Sequence, residues 1–321
     1  MAKRRKGKPT PEVLSRVPPH RTCGAMEVHH RLLEQNPQFR VALAALETAT
    51  RQRLTAAFRS ELILPVTIPV VVHVVYSSAV DNVSDAQVNS QITSLNKDYG
   101  AKNPDKSKVP AVWRGLVTDT GIQFKLASKD PEGNPTNGIT RTKTAKTSFG
   151  QDDSVKSNAK GGADPWPSDK YLNLWVCSLG GGLLGYAQFP GGPAATDGVV
   201  ILNSAFGTTG TAAAPFNLGR SATHEIGHWL NMIHIWGDTS DCTGTDFVDD
   251  TPNAQQPNYG KPTFPHVSCT NGPNGDMFMN YMDYVDDDTM VMFTAGQVMR
   301  MHATLAGPRA PLVASAKGLI S

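Results

Sequence analysis

The 321-residue chain has no run of eighteen or more apolar residues, which argues against a helix spanning a membrane. It has no charge excess either. Thirty Lys and Arg against 28 Asp and Glu leave a formal +2, too even for nucleic acid to be a main partner. The basic run Lys3 to Lys8 continues into Pro9-Thr10-Pro11-Glu12 and not into an apolar segment, so no secretory leader is written there. In so polar a stretch it reads as a solvated tail. Internal repeats are absent, and cysteines number only four, at 23, 177, 242 and 269. Fully bridged, four cysteines allow three pairings; free thiols in a reducing compartment are the alternative. Cys242 and Cys269 flank a loop-rich segment that a cross-link would restrict, whereas Cys177, in the apolar run Leu172 to Cys177, reads as a buried strand thiol. What is left is an ordinary soluble composition, 39% hydrophobic, at a length suited to one large domain or two modest ones.

Within it stands His224-Glu225-Ile226-Gly227-His228-Trp229-Leu230-Asn231-Met232-Ile233-His234. His224 and His228 lie four apart, so on a helix both imidazoles leave one face and can grip one metal ion, with Glu225 beside it. On a straight helix His234 would sit about 15 Å from His224 and could not share that ion. The helix must therefore stop after Leu230 and double back, and Asn231 tolerates the left-handed backbone that such a turn needs. Three neutral imidazoles leave a fourth tetrahedral position for water, the pattern of a catalytic zinc site. Glu225 is the expected general base and acid for peptide hydrolysis. Two other readings compete with a zinc endopeptidase: a zinc exopeptidase, and a non-catalytic binding or adhesion module that keeps zinc for structure.

Elsewhere, Leu32 to Phe58 is rich in helix formers with a break near Pro37. The β-branched run Val66 to Tyr76 begins the strands, and Ser84 caps a helix running to about Tyr99. Further strands are expected at 122–128, 139–143, 171–176, 184–189 and 197–203, with the metal-site helix over about 218–230. From Gly237 to Pro273 the chain is dense in Asp, Thr, Gly, Pro and Asn and should be irregular. Oxygen-rich loops of this kind suit hard cations, so Asp246, Asp249, Asp250 and Thr251 are candidate calcium ligands.

The long zinc motif, with Asn231 in place of its usual glycine, resembles that of the metzincins. Together with Asp249 to Pro252, Asn280-Tyr281-Met282-Asp283-Tyr284, Phe293 to Gln297 and Arg300-Met301, it resembles the pappalysin family of metallopeptidases. That resemblance implies an α+β fold: a zincin-like catalytic domain at 61–321, with a twisted mixed sheet and the zinc helix in its N-terminal lobe. An irregular C-terminal lobe carries the methionine turn, and a tail and helical prosegment at 1–60 precede the whole. It implies Met282 as the methionine turn beneath the imidazoles, Tyr284 near the metal as an oxyanion stabiliser, and a Cys242 to Cys269 bridge. A second family bridge is lost here because Thr289 stands where a cysteine is common. The strand near 184–189 would be the sheet edge that receives a peptide substrate, and calcium is supported as a second metal. Asp288 would recognise Lys or Arg on the carboxyl side of the cut bond. Cys23 would close the open zinc position in a latent form, with self-cleavage before Arg59 as the activating step. Protein and peptide substrates and an extracellular location complete the expectation.

Overall fold

A computed structural model describes residues 17–53 and 65–320. Two helices come first, α1 (Ala25–Gln35) and α2 (Pro37–Arg53), divided at Asn36 because the residue before a proline is driven out of the helical region. The helix expected over 32–58 is thus two, and both its end beyond Arg53 and the cleavage point at Arg59 lie outside the described residues.

β1 (Val66–Tyr76) is the spine of the sheet, buried without interruption from Ile68 to Val75. A strand covered on both faces needs such a continuous apolar run. At eleven residues it is long enough for its first half to pair in parallel with β2 (Ile122–Leu126) and its second half with β3 (Ile139–Lys143). Along its other edge lie β4 (Leu172–Cys177), then β6 (Val199–Leu202), then the antiparallel edge strand β5 (Gly185–Ala187). The sheet is therefore mixed, as the family resemblance implied.

α3 (Asp85–Tyr99) opens on Ser84, whose hydroxyl accepts from the amide of Gln87. Its buried face carries polar side chains, and their partners lie at the start of the metal-site helix α4 (Arg220–Trp229). Gln91 donates to the carbonyl of Gly219, Tyr99 to that of Thr223, and Asp98 accepts from the Thr223 hydroxyl at 2.8 Å. Buried polar groups of this kind cost free energy unless paired, so the set specifies one seating of α4 on α3.

All ten residues of α4 are buried. Beyond it the chain is mostly irregular, with the two-residue pair β7 (Tyr259–Gly260) and β8 (Tyr284–Val285). The helices α5 (Ala295–Leu305) and α6 (Ala310–Ser315) close the molecule. α5 begins in a capping box of Thr294 and Gln297. No helix among the described residues is long and apolar enough to cross a membrane.

Candidate metal centre

α4 ends as its sequence requires. Asn231 has φ 71°, the amide of Met232 reaches the carbonyl of Gly227, and that of Asn231 reaches His228, which together make a Schellman ending with asparagine in the left-handed place. Three consecutive carbonyls at the end of the helix, those of Trp229, Leu230 and Asn231, accept from Arg309, Thr304 and Arg300. The reversal brings His234 back over the helix. The Nε2 atoms of His224, His228 and His234 then lie 3.1 to 3.3 Å apart.

Which nitrogens carry protons follows from the partners of Nδ1. That of His224 faces the carbonyl of Tyr281 at 2.7 Å, that of His228 the carbonyl of Met232 at 2.8 Å, and that of His234 the Asp238 carboxylate at 2.5 Å. Carbonyls and carboxylates only accept, so each Nδ1 is the donor and each Nε2 offers a bare lone pair. Burial also drives the His224 and His228 imidazoles toward the neutral form, well below the usual histidine range. Three lone pairs converging at that spacing repel one another unless a cation sits between them. A tetrahedral zinc with Zn–N near 2.05 Å would set its nitrogens about 3.3 Å apart. The residues fit zinc.

The thiol of Cys23 completes the group, since its sulfur and the three imidazoles all bring ligand atoms within 4.8 Å of one another. Among the described residues this is the one such group of His, Cys, Asp and Glu. The thiol also donates to Glu225 Oε2 at 3.3 Å. Burial pushes the Glu225 carboxyl up to about 8, only partly offset by that contact. Residues 22–24 lie along the edge strand: Leu184 donates to the carbonyl of Thr22, Gly24 donates to that of Gly185, and Cys23 bridges Gly185 in parallel. A side chain at Gly185 would meet the Val200 carbonyl at 2.7 Å and Glu225 Cγ at 2.9 Å, so only glycine lets strand and base approach this closely. Two residues upstream, Arg21 is buried. Its guanidinium donates to Asp287 at 2.7 Å, to Ser221 at 3.0 Å and to the carbonyl of Val285, and lies over the ring of Phe216.

A sequence profile described as pregnancy-associated plasma protein-A matches residues 154–306. An extracellular metalloprotease of Pyricularia oryzae is 33% identical over 300 residues, covering 90% of this chain and 89% of that one. The chain belongs to the pappalysin family. Among solved structures, a mutant of Tannerella forsythia promirolysin is 43% identical with a TM-score of 0.85, covering 94% of this chain and 100% of that one. Mature Tannerella forsythia mirolysin in complex with a cleaved peptide is 48% identical with a TM-score of 0.79, covering 80% of this chain and 99% of that one. As a pappalysin the chain is a zinc-dependent metallopeptidase with the metzincin fold.

The remaining site residues of this pappalysin sort as follows. Met282 lies under α4, so close that a Cβ at Gly227 would stand 2.4 Å from its sulfur. The Tyr284 ring packs on His224 and His234, and its hydroxyl faces the carbonyl of Cys23 at 3.5 Å. Cys242 and Cys269 are bridged; Cys23 and Cys177 are free and buried. The Asp288 side chain is 44% exposed and pairs with Lys261, while Asp287 is fully buried against Arg21. Of the three consecutive aspartates at 286–288, the irregular chain after β8 turns the second inward. Asp246 and Thr251 are buried and bonded to each other, Asp249 is exposed, and Asp250 accepts from Thr294 and the amide of Gly296 at the start of α5. Arg21 and Asp287 were not expected from the sequence. The available signal was a basic residue two places before Cys23, the cysteine grouped with the three imidazoles.

Proposed function

We propose that this pappalysin is a latent zinc endopeptidase with its tail and prosegment at 1–60 and its catalytic domain at 61–321, and that the activated enzyme cuts before Lys or Arg. One observation carries the specificity: Arg21, two residues before the thiol that lies beside the three imidazoles, is buried and pairs with the buried carboxylate of Asp287. Planar guanidinium and carboxylate recognise each other strongly when desolvated, and Phe216 adds a ring face. Arg21 is read as standing where a substrate's basic side chain would go, with Asp287 in the role foreseen for Asp288.

His224, His228 and His234 would hold the zinc, with Cys23 as the fourth ligand of the latent form. Zinc, when bound, supplies a Lewis acid that brings the pKa of water toward about 7. Glu225 takes the proton of the attacking water at its carboxylate and hands it to the departing amine. Tyr284 turns its hydroxyl toward the developing oxyanion once Cys23 has left. Edge strand β5, freed of residues 22–24, pairs with the substrate backbone. The larger share of this chain matched by promirolysin than by the mature protein, 94% against 80%, supports the zymogen reading. Relatives named extracellular metalloproteases, and a bridge suited to oxidising compartments, support secretion.

Calcium belongs to this reading through the oxygen-rich loop of Asp246, Asp249, Asp250 and Thr251, in which Asp246 and Thr251 are buried and bonded to each other. Stripping calcium alone from zinc-loaded enzyme should lower its melting temperature; an unchanged melting curve removes calcium from the account. The specificity is tested by profiling new amino termini in a denatured proteome. Enrichment of Lys and Arg at the first new position is expected, and Asp287→Ala should abolish it. No enrichment, or cuts confined to chain ends, would overturn the reading.

A further inference from the structure

Asn231 occupies the place of the motif glycine, and its φ of 71° is one that glycine adopts at least as easily. The turn that returns His234 to the metal therefore does not call for asparagine. Its side chain has a partner of another kind. Nδ2 donates at 3.0 Å to Oε1 of Glu47, on the prosegment helix α2. The same carboxylate receives both terminal nitrogens of Arg300, one of them at 3.0 Å to Oε2, in a fork-on-fork pair. Arg300 in turn donates from Nε to the backbone carbonyl of Asn231 at 2.7 Å. Among the described residues Glu47 is the carboxylate that pairs with this guanidinium, which is 1% exposed against 21% for the glutamate. One helical turn on, Arg51 lies over the ring of Phe247, which Arg300 also faces.

We propose that Asn231 and Arg300 form a carboxylate-binding site behind the zinc turn, filled in the latent chain by Glu47, and that it is a second anchor of the prosegment independent of the metal. The inference rests on reading residues 1–60 as a prosegment. Its physical content is bivalency. Residues 21–24 hold the front of the cleft, α2 holds the back of the turn that presents His234, and each attachment keeps the other at high effective concentration. Loss of the Cys23 contact alone then leaves α2 seated.

Hydrogen exchange reads this directly in the full chain carrying Glu225→Ala, which cannot process itself. Adding Glu47→Ala should speed exchange of the α2 amides about tenfold, both zinc-loaded and after chelation. Alanine is the better helix former, so faster exchange would report undocking and not a weaker helix. Asn231→Gly should speed the same amides by less, with no further change on top of Glu47→Ala. Unchanged α2 exchange in Glu47→Ala, or independent additive effects of the two substitutions, overturns the site. A separate assay guards the premise: if the uncut chain with Glu225 intact hydrolyses peptide as fast as processed enzyme, the latent role falls while the exchange data still report the contact.

Discussion

Residues 66–202 and 203–320 are held together by different means. In the first stretch β1, β4 and β6 bury Val, Ile, Leu and Trp side chains almost completely, and the fold rests on apolar packing in a regular sheet. In the second, outside α4 to α6, there is little regular pairing: the apolar side chains between Met277 and Phe293 join the core from irregular backbone, and polar contacts and one covalent bridge fasten the rest. Asp276 accepts from Ser268, Asn271 and Asn258, Asp283 from Asn258 and the amide of Tyr284, and Cys242 joins Cys269. All three metal ligands lie in the second stretch, but on unlike supports. His224 and His228 ride on a buried helix, whereas His234 is set by the turn at Asn231 and by Asp238. Damage to the irregular half should therefore reach the metal sooner than equal damage to the sheet.

Opening the bridge is the strongest challenge to that contrast. It closes a 27-residue separation, so Cys242→Ser with Cys269→Ser should cost roughly 3–4 kcal/mol in denaturant melts. Zinc retention against a chelator should fall with it. Val74→Ala, in the fully buried centre of β1, should cost about 2 kcal/mol yet leave zinc retention at the wild-type level. Equal zinc loss in both variants would erase the distinction. Thr294 caps α5 and also bonds Asp250, so Thr294→Ala should lower stability by about 1.5 kcal/mol. Ser84→Ala, which removes only a cap, should lower it by about 1 kcal/mol, and a reversed order would show that the loop contacts carry less than assigned to them.

The same contrast explains what could be read in advance. β1, the Ser84 cap, the bend after Leu230 and the metal-ligand spacing are local patterns with a fixed period or a named turn chemistry, and they appear where the sequence indicates. The Asp286-Asp287-Asp288 triplet has no period to say which carboxylate turns inward. Its register is set from a distance, by the amide of Asp287 on the carbonyl of Pro215 and by the amides of Leu218 and Arg220 on its carboxylate. Glu47 was legible as a helix residue and nothing more, because its partners lie 184 and 253 residues away. Arg21 escaped for a related reason: its contacts to Asp287, Ser221 and Val285 form only once residues 22–24 are laid along β5.

The central claim is that three imidazoles hold a zinc ion beside a carboxylate that moves the proton. Glu225→Ala tests it most directly, with bound zinc counted and peptide hydrolysis timed on the same protein after its prosegment has been removed by an added protease. Zinc content equal to wild type with turnover lowered by about a thousandfold or more is the expected result. Near-normal turnover in that variant would contradict it.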